Sequence, residues 1–236
     1  NNKRPAIIKK FYSNHYDEHN LINNSLDCLF LDKDRSIAIK KAEKKQYDIV
    51  ILDDGFQDYS IKKDLSILCF NSNQLIGNGK TLPAGPLREK IDAVKKAQIV
   101  IINGSKNEIF EKKIFGISKK IKIFYSHYLP ENIEEFKKKN LLAFAGIGNP
   151  ENFFKLLADN NLNVQKKLSF PDHYNFSRSN IKELVEDSIK NNLQLITTEK
   201  DYFRIKDYGF KNIKFLKIRL EILEKEKFIN QILGYL

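Results

Sequence analysis

The sequence predicts an α/β fold with a parallel sheet, and three features of the chain support this prediction. The apolar runs at 48–52 and 98–103 do not alternate with polar residues, as expected of parallel strands that are covered on both faces. A segment rich in Ala, Lys and Glu, Arg35–Lys45, has the composition of a helix. The turn Gly146–Pro150 leads from an apolar run into a second helical segment. Strands that alternate with helices are typical of α/β domains.

The other elements follow from the same kinds of pattern. The predicted strands are 27–31, 48–52, 64–70, 98–103, Leu141–Ala145, Leu193–Thr197 and 213–220. The predicted helices are Arg35–Lys45, 150–159 with Asn149 as its N-cap, 181–191 with a capping box at Asn180–Glu183, and 223–233. Between them, the stretch 104–140 is rich in lysine and less regular. We therefore expect two domains, a core domain at 1–122 and a smaller α/β domain at 123–236.

Length and charge restrict the function only broadly. The chain has 236 residues and a net charge of +11, which suits a nucleic acid, an anionic membrane surface or a phosphorylated substrate as partner. A generally lysine-rich surface would give the same charge. Because the lysines are spread along the chain, without a basic run that has interleaved aromatic residues, we do not expect nucleic-acid binding.

The cysteines and the hydropathy pattern bear on the compartment. Cys28 and Cys69 each lie in an apolar run, which predicts buried free thiols rather than a disulfide or a metal site. Free thiols are typical of a reducing, cytoplasmic compartment. No apolar run reaches 18 residues, so no transmembrane helix is predicted in this sequence.

The most informative local pattern is an apolar strand that ends in two carboxylates, Asp53 and Asp54, followed by Gly55. Ligands of open α/β sheets bind beyond the carboxyl ends of the strands. Mg²⁺ prefers one or two carboxylates together with substrate phosphates, so this pair is a candidate metal site. The alternative is an ordinary surface turn, in which Asp and Gly are common. Two adjacent carboxylates also repel each other unless a cation lies nearby.

A second pattern imitates a phosphate-binding loop. Gly77-Asn-Gly-Lys-Thr81 ends like a Walker A motif, but the required first glycine is replaced by Gln74. The motif must also begin a helix, and the prolines Pro83 and Pro86 that follow prevent one. We therefore interpret this stretch as a rigid loop that ends at Glu89.

Two further loops carry polar groups that are candidates for chemistry. His173 lies in Phe-Pro-Asp-His173-Tyr, between a strand and a helix, and its ordinary pKa near neutrality suits a general acid or base. A solvated surface histidine is the alternative. Thr198 and Lys200 follow the strand that ends at Thr197, where they would bind a nucleotide or phosphate, or else cap the next helix.

Taken together, these segments resemble the lipid A 4'-kinases. Six segments occur in the family's order across roughly residues 15–205: Leu-Asp53-Asp54-Gly-Phe-Gln, Gly77-Asn-Gly, Leu-Pro-Ala-Gly-Pro-Leu-Arg-Glu89, Gly146-Ile-Gly-Asn-Pro, Phe-Pro-Asp-His173 and Thr-Thr-Glu-Lys-Asp201. Each segment is weak alone, but six in order are specific. The resemblance implies a P-loop-NTPase-like core with a smaller second domain flanking the active-site cleft.

The resemblance also implies an activity and a location. The family transfers the γ-phosphate of ATP, with Mg²⁺, to the 4'-hydroxyl of a tetraacylated glucosamine disaccharide 1-phosphate, the lipid A precursor. It acts at the cytoplasmic face of the inner membrane. The partners implied are this lipid and an anionic membrane surface, and a monomer is expected.

The family's functional residues are carried over by matching positions. Asp53 and Asp54 match its acidic pair and would lie at the Mg²⁺ and phosphates, with Asp54 also catalytic. Asp17 matches its candidate base, which takes the proton of the sugar hydroxyl, and His173 would assist that base.

Four more residues are expected near the nucleotide. Arg88 and Glu89 match the family's loop at that site, and Thr198 and Lys200 are assigned to the bound nucleotide as well.

The sequence departs from the family at several points. Tyr16 replaces a glycine before Asp17, and Asp58 replaces a histidine after Phe-Gln. The sequence has no Met and lacks the family's Gly-Lys-Thr phosphate loop and membrane helix. We therefore expect an N-terminally truncated core whose phosphate loop and anchor precede Asn1. Because that loop supplies most of the grip on the phosphates, the 236-residue chain alone is expected to show negligible kinase activity with radiolabelled ATP.

Three other functions stay open from the residues alone. A degenerate, non-catalytic module would hold an anionic lipid or a partner without chemistry. A nucleic-acid-binding protein would be marked by steeply salt-dependent affinity. A nucleotide-sugar transferase would use the carboxylate pair as its metal site and would show a different nucleotide preference.

Overall fold

The structure is a computed structural model that describes residues 3–11 and 28–236. Within the described residues the chain forms two compact units. The first unit comprises Asn1–Asp53 and Pro130–Ile218, and the second comprises Asp54–Leu129 and Arg219–Leu236. The domain boundary expected between residues 122 and 123 stays a prediction.

The described elements alternate between strands and helices over most of the chain. The strands are β1 (Pro5–Lys10), β2 (Leu29–Asp32), β3 (Ile49–Leu52), β4 (Ile67–Asn71), β5 (Ile99–Asn103), β6 (Lys122–Pro130), β7 (Asn140–Ala145), β8 (Asn163–Ser169), β9 (Gln194–Thr198), β10 (Ile213–Leu216) and β11 (Ile218–Ile222). The helices are α1 (Arg35–Lys44), α2 (Glu108–Ile117), α3 (Pro150–Asp159), α4 (Arg178–Lys190), α5 (Glu199–Ile205) and α6 (Lys225–Leu233). None of these helices is long and apolar enough to cross a bilayer.

The first unit contains two parallel sheets. One has the order β2-β1-β3, and α1 covers it through Ala38 and Ala42, which pack against Ala6 and Ile8. The other has the order β10-β9-β7-β8, with a buried core on each face of β7. Parallel pairing brings the carboxyl ends of β1 and β3 to one edge, and those of β7 and β9 to another. Polar residues that follow these strands are therefore brought together.

The second unit is built on the sheet β11-β6-β5-β4, in which β4, β5 and β6 run parallel. The central strand β5 is covered on both faces, because Ile99, Val100, Ile101 and Ile102 are all buried. The apolar run at 98–103 is thus confirmed as a fully covered parallel strand.

Two expectations about burial were wrong. The run at 48–52 does form the strand β3, but in the described sheet β3 pairs with β1 alone, and Val50 and Ile51 are 38% and 53% exposed. The cysteines are free, as predicted, but they are not buried, since Cys28 is half-buried and Cys69 is exposed. Apolar neighbours in sequence do not ensure burial when the strand lies at an edge of its sheet.

The region 104–140 is more regular than the sequence suggested. It contains α2, capped by the Asn107 side chain, which accepts from the Phe110 main-chain N–H at 2.9 Å. Phe110 and Ile114 are buried on one side, whereas Lys112 and Lys113 are exposed on the other. The region is therefore an amphipathic helix whose exposed lysines made the sequence look irregular.

Helix starts also differ in detail from the predictions. α4 begins at Arg178, three residues early, because Ser177 is its N-cap and forms a capping box with Asn180. The capping box expected at Asn180–Glu183 is therefore wrong. Asn149 does precede α3 and Pro150 does begin it, but the Asn149 side chain makes no capping hydrogen bond.

Candidate functional site

Asp53 directly follows β3, and two cations contact it. Lys9, near the end of the neighbouring β1, donates from Nζ to Asp53 Oδ2 at 2.5 Å and is only 12% exposed. Arg35, the first residue of α1, donates from Nη2 to the Asp53 main-chain oxygen at 2.9 Å. The parallel pairing of β1 and β3 creates this arrangement, since the Asp53 N–H also donates to Ile8 O at 3.0 Å. The repulsion expected at the carboxylate pair is thus offset at Asp53.

Asp54 lies in a different environment, within the second unit. Its backbone is left-handed, with φ of 51°, and its side chain is 71% exposed. Arg88 Nη2 lies 3.5 Å from Asp54 Oδ2 and is itself 61% exposed. A pair as exposed as this contributes little to stability. The carboxylate is accordingly open to solvent at the point where the apolar strand ends.

Glu89 is held by a compact polar cluster in the second unit. Tyr59 Oη lies 2.7 Å from both Glu89 carboxylate oxygens, and Lys96 Nζ donates to Tyr59 Oη at 2.7 Å. The Tyr59 hydrogen bond is the main reason that the pKa of Glu89 falls below its ordinary value, with Gln57 and Lys96 contributing. The separate hydrogen bond that Lys96 donates to Tyr59 is the main reason that the pKa of Lys96 is raised. These contacts favour the carboxylate form of Glu89 and tie it to the segment that follows Asp54.

The Gly77–Thr81 stretch does not begin a helix. Asn78 organises it, because its side chain donates to Ala84 O at 2.8 Å and accepts from the Lys80 N–H at 3.1 Å. The stretch then closes on itself, with the Leu82 N–H donating to Leu87 O at 2.8 Å. The structure confirms that this stretch is a loop that does not begin a helix.

His173 lies on the loop between β8 and α4, and two cations from α5 face its ring. Arg204 Nη2 lies 3.2 Å from His173 Nδ1, and Lys200 Nζ lies 3.4 Å from His173 Nε2. The His173 main-chain N–H donates to Asp172 Oδ1 at 2.9 Å, and its φ is 55°. The first unit therefore brings His173 and Lys200 together, two residues that the sequence singled out separately.

Arg204 also contacts a buried carboxylate, Asp201, for which the sequence predicts no role. Asp201 has 0% exposure and accepts from the Gly146 N–H at 2.9 Å and from Thr198 Oγ1 at 2.8 Å. Arg204 Nη1 donates to Asp201 Oδ1 at 2.8 Å and to Gly146 O at 2.9 Å. We call Gly146, Thr198, Asp201 and Arg204 the Asp201 cluster. It ties the end of β7 to the start of α5.

Thr198 has the capping role that the sequence left as an alternative. It is the N-cap of α5, and its hydroxyl oxygen accepts from the Asp201 main-chain N–H at 3.1 Å. Its assignment to a bound nucleotide stays a prediction. Asp17, the candidate base, lies outside the described residues.

Mg²⁺, the metal that the family resemblance implies, requires oxygen donors. Among the described residues, no group of three or more His, Cys, Asp and Glu side chains lies close enough to hold a metal. Mg²⁺ does not need such a group, because substrate phosphates and water complete its octahedral shell around one or two carboxylates. The exposed carboxylate of Asp54 fits that role, whereas one oxygen of Asp53 is taken by Lys9.

Comparison with known proteins gives consistent matches. A family model described as tetraacyldisaccharide-1-P 4'-kinase (LpxK) matches residues 12–236. A tetraacyldisaccharide 4'-kinase of Pelagibacter ubique is 39% identical over 236 residues, which is 99% of this chain and 75% of that protein. The enzyme of the same name from Haemophilus influenzae is 33% identical over 186 residues, 76% of this chain and 52% of that protein.

One solved structure agrees with the chain's fold. The crystal structure of LpxK from Aquifex aeolicus in complex with ATP superposes with a TM-score of 0.72. The superposition covers 99% of this chain and 79% of the Aquifex aeolicus chain, and the two sequences are 22% identical. That identity shows the fold alone, and the expected α/β architecture with parallel sheets is thereby confirmed.

Proposed function

This chain belongs to the tetraacyldisaccharide-1-P 4'-kinase family, and from this we propose that it serves to transfer the γ-phosphate of ATP to the 4'-hydroxyl of a tetraacylated glucosamine disaccharide 1-phosphate. The enzyme class is that of a kinase in lipid A biosynthesis. The observation that carries the proposal is the family match over residues 12–236, which includes every candidate site residue. The two relatives named above are both described as kinases, which favours this function over a non-catalytic binding module.

We assign the metal to the carboxylate pair. Asp54 would hold Mg²⁺, and Asp53 would lie beside the metal and the phosphates, with its charge balanced by Lys9. When bound, Mg²⁺ would neutralise charge that develops on the transferring phosphoryl group. Asp53 is restrained by two strands and a lysine, so the residue that precedes Asp54 is held in place before any ligand binds.

The chemistry at the acceptor is assigned to Asp17 and His173. Asp17 would take the proton of the sugar 4'-hydroxyl as that oxygen bonds to the γ-phosphorus, and His173 would assist it. The bond from the γ-phosphorus to the bridging oxygen would break, so that ADP leaves. Positioning and electrostatics account for most of the catalysis of phosphoryl transfer, so a histidine flanked by Lys200 and Arg204 suits a site that handles phosphate.

The nucleotide is assigned to Arg88, Glu89, Thr198 and Lys200. Arg88 and Lys200 would contribute positive charge to the phosphates. Glu89 and Thr198 are already hydrogen-bonded within their own units, to Tyr59 and Asp201, so they would act on the nucleotide by holding the loops that carry Arg88 and Lys200.

The proposed location at a membrane follows from the lipid substrate. A lipid with four acyl chains resides in a membrane, so we propose that the protein works as a monomer at the cytoplasmic face of the inner membrane. Its basic surface would attract anionic lipid. The division into a core domain at 1–122 and a smaller domain at 123–236 is part of the same proposal.

The test is Asp54→Ala in the full-length protein, with Asp92→Ala as an exposed carboxylate control from the same unit. We expect Asp54→Ala to lower kcat by about 100-fold or more, as is common when a group that stabilises transition-state charge is removed. Asp92→Ala should stay near wild type. Turnover of Asp54→Ala near the wild-type rate would refute the Mg²⁺ assignment.

The nucleotide preference provides a second check. ATP should be the donor, and a nucleotide-sugar offered in its place should yield no product. Product from the nucleotide-sugar would favour the transferase alternative over the kinase.

A further inference from the structure

The contacts of the His173 ring impose a choice of tautomer. A neutral imidazole carries one donor and one acceptor nitrogen. Arg204 faces Nδ1 at 3.2 Å, and Lys200 faces Nε2 at 3.4 Å. A guanidinium is always protonated and only donates. The Lys200 ammonium likewise only donates, so a neutral ring accepts from one of these two cations. The Arg204 contact is the shorter, and we take Nδ1 as the acceptor, which leaves the proton on Nε2.

Arg204 is held independently of the histidine. Its Nη1 donates to two acceptors of the Asp201 cluster, Asp201 Oδ1 at 2.8 Å and Gly146 O at 2.9 Å. The Arg204 side chain is 12% exposed and the Asp201 side chain is 0% exposed. A buried carboxylate that accepts from a guanidinium gives a strong, directional hydrogen bond. The direction of the second guanidinium nitrogen, Nη2, is therefore set before it meets the His173 ring.

The loop that carries His173 is positioned by contacts that do not involve Arg204. Asp172 accepts from the His173 main-chain N–H, and Gly148 lies so close that a Cβ added there would be 3.2 Å from Asp172 Oδ2. The φ of 55° at His173 belongs to a conformation that few non-glycine residues adopt. Loop and ring are thus both restrained.

We propose that Arg204, anchored by the buried Asp201, is a positioning residue that fixes His173 in the tautomer with its proton on Nε2. The consequence for catalysis rests on the proposed function. His173 then acts through Nε2–H as a hydrogen-bond donor, beside the Lys200 ammonium. Two donors 3.4 Å apart suit an anionic oxygen. In this tautomer Nε2 already carries a proton and Nδ1 accepts from Arg204, so neither ring nitrogen takes a proton from a hydroxyl. That role is left to another base.

The first experiment needs no substitution at the positioning residue. Nitrogen NMR of the ¹⁵N-histidine-labelled full-length protein reports the tautomer of each ring, and His173→Gln identifies the His173 signals by their loss. We expect a protonated Nε2 and an acceptor-type Nδ1. A ring with the proton on Nδ1, or an even mixture of tautomers, would overturn the proposal even if no variant at Arg204 folds.

The second experiment removes the donor. Arg204→Met keeps much of the side-chain length without the guanidinium, and Arg219→Met is the control, since Arg219 is 60% exposed and lies in the other unit. We expect Arg204→Met to release the tautomer preference and to lower kcat by about 10–100-fold, the range seen when a group that orients a metal-bound histidine is removed. KM for ATP should change little, and Arg219→Met should match wild type. An unchanged His173 tautomer in folded Arg204→Met would contradict the proposal.

The two measurements separate this proposal from the proposed function. If Arg204→Met changes the tautomer while kcat is unchanged, the positioning role stands and the catalytic role of His173 fails. If His173→Gln abolishes turnover while the wild-type ring carries its proton on Nδ1, the catalytic role stands and the positioning role fails.

Discussion

At the scale of single residues, two adjacent carboxylates have different surroundings. Asp53 is paired with Lys9, a residue 44 positions away, whereas Asp54 is largely exposed beside Arg88. The partly buried pair is restrained by strand geometry, but the exposed pair is screened by water. The difference explains why we assign Asp54, rather than Asp53, as the principal candidate ligand of the metal.

The Tyr59–Glu89 contact predicts a pH dependence. Because the folded-state pKa of Glu89 is lowered, chiefly by Tyr59, the contact stabilises the folded state above the ordinary glutamate pKa of about 4.3. That contribution is lost as the pH falls through the lowered folded-state value. In Tyr59→Phe, we expect the pKa of Glu89 to rise toward its ordinary value, as followed by NMR titration of the carboxyl carbon.

The control for this titration is Tyr235→Phe, which removes a hydroxyl from the same unit without touching Glu89. Its Glu89 titration should coincide with that of wild type. If the pKa of Glu89 is the same in Tyr59→Phe and in wild type, the tyrosine does not hold the carboxylate.

At the scale of elements, strand ends and helix starts carry most of the polar residues of interest. Thr198 ends β9 and caps α5, and Lys200, Asp201 and Arg204 all project from that one short helix. The i, i+3 spacing of Asp201 and Arg204 is what allows them to pair. A single helical turn thus carries the groups that meet His173.

The start of α4 gives a prediction at this scale. Ser177 accepts from the Asn180 N–H at 3.1 Å, and Asn180 accepts in return from the Ser177 N–H at 3.1 Å. Ser177→Ala should lower the free energy of unfolding by about 1 kcal/mol, because it removes an N-cap. Urea denaturation measures this loss.

The control is Ser179→Ala, whose hydroxyl donates to the exposed Glu183 in the next turn at 3.3 Å. We expect it to change the free energy of unfolding by less than about 0.5 kcal/mol. Equal losses for the two variants would show that the capping box does not stabilise α4.

At the scale of the whole molecule, the charge of +11 predicts behaviour at membranes. The full-length protein should cosediment with vesicles that contain anionic lipid more strongly than with neutral vesicles, since each basic residue near an anionic surface contributes about 1 kcal/mol. Binding should weaken as the salt concentration rises.

Duplex DNA serves as the comparison polyanion. We expect no saturable binding to it at physiological salt, because the lysines are spread along the chain. Equal binding to neutral and anionic vesicles would contradict a role for the basic charge, and saturable DNA binding would favour the nucleic-acid alternative.

Much of the fold could be predicted, because its signals are local. Apolar runs marked β3, β4, β5, β7 and β9, and composition marked α1. The strand β1 was missed, since Pro5–Lys10 has only three apolar residues before two lysines. The predicted strand at 213–220 is two strands, β10 and β11, that belong to different sheets. Which sheet a strand joins depends on residues far away in the chain, so pattern alone does not decide it.

The sequence by itself determined which polar motifs follow which strands, and so the family and the candidate residues Asp53, Asp54 and His173. Only the tertiary structure decided which partner each one meets. Lys9 lies 44 residues from Asp53, and Arg204 lies 31 residues from His173 and 58 from Gly146. Periodicity, capping and turn residues act over a few positions, whereas ion pairs and tautomers depend on distances in space. Those distances are set only when parallel strands pair and bring their carboxyl ends to one edge.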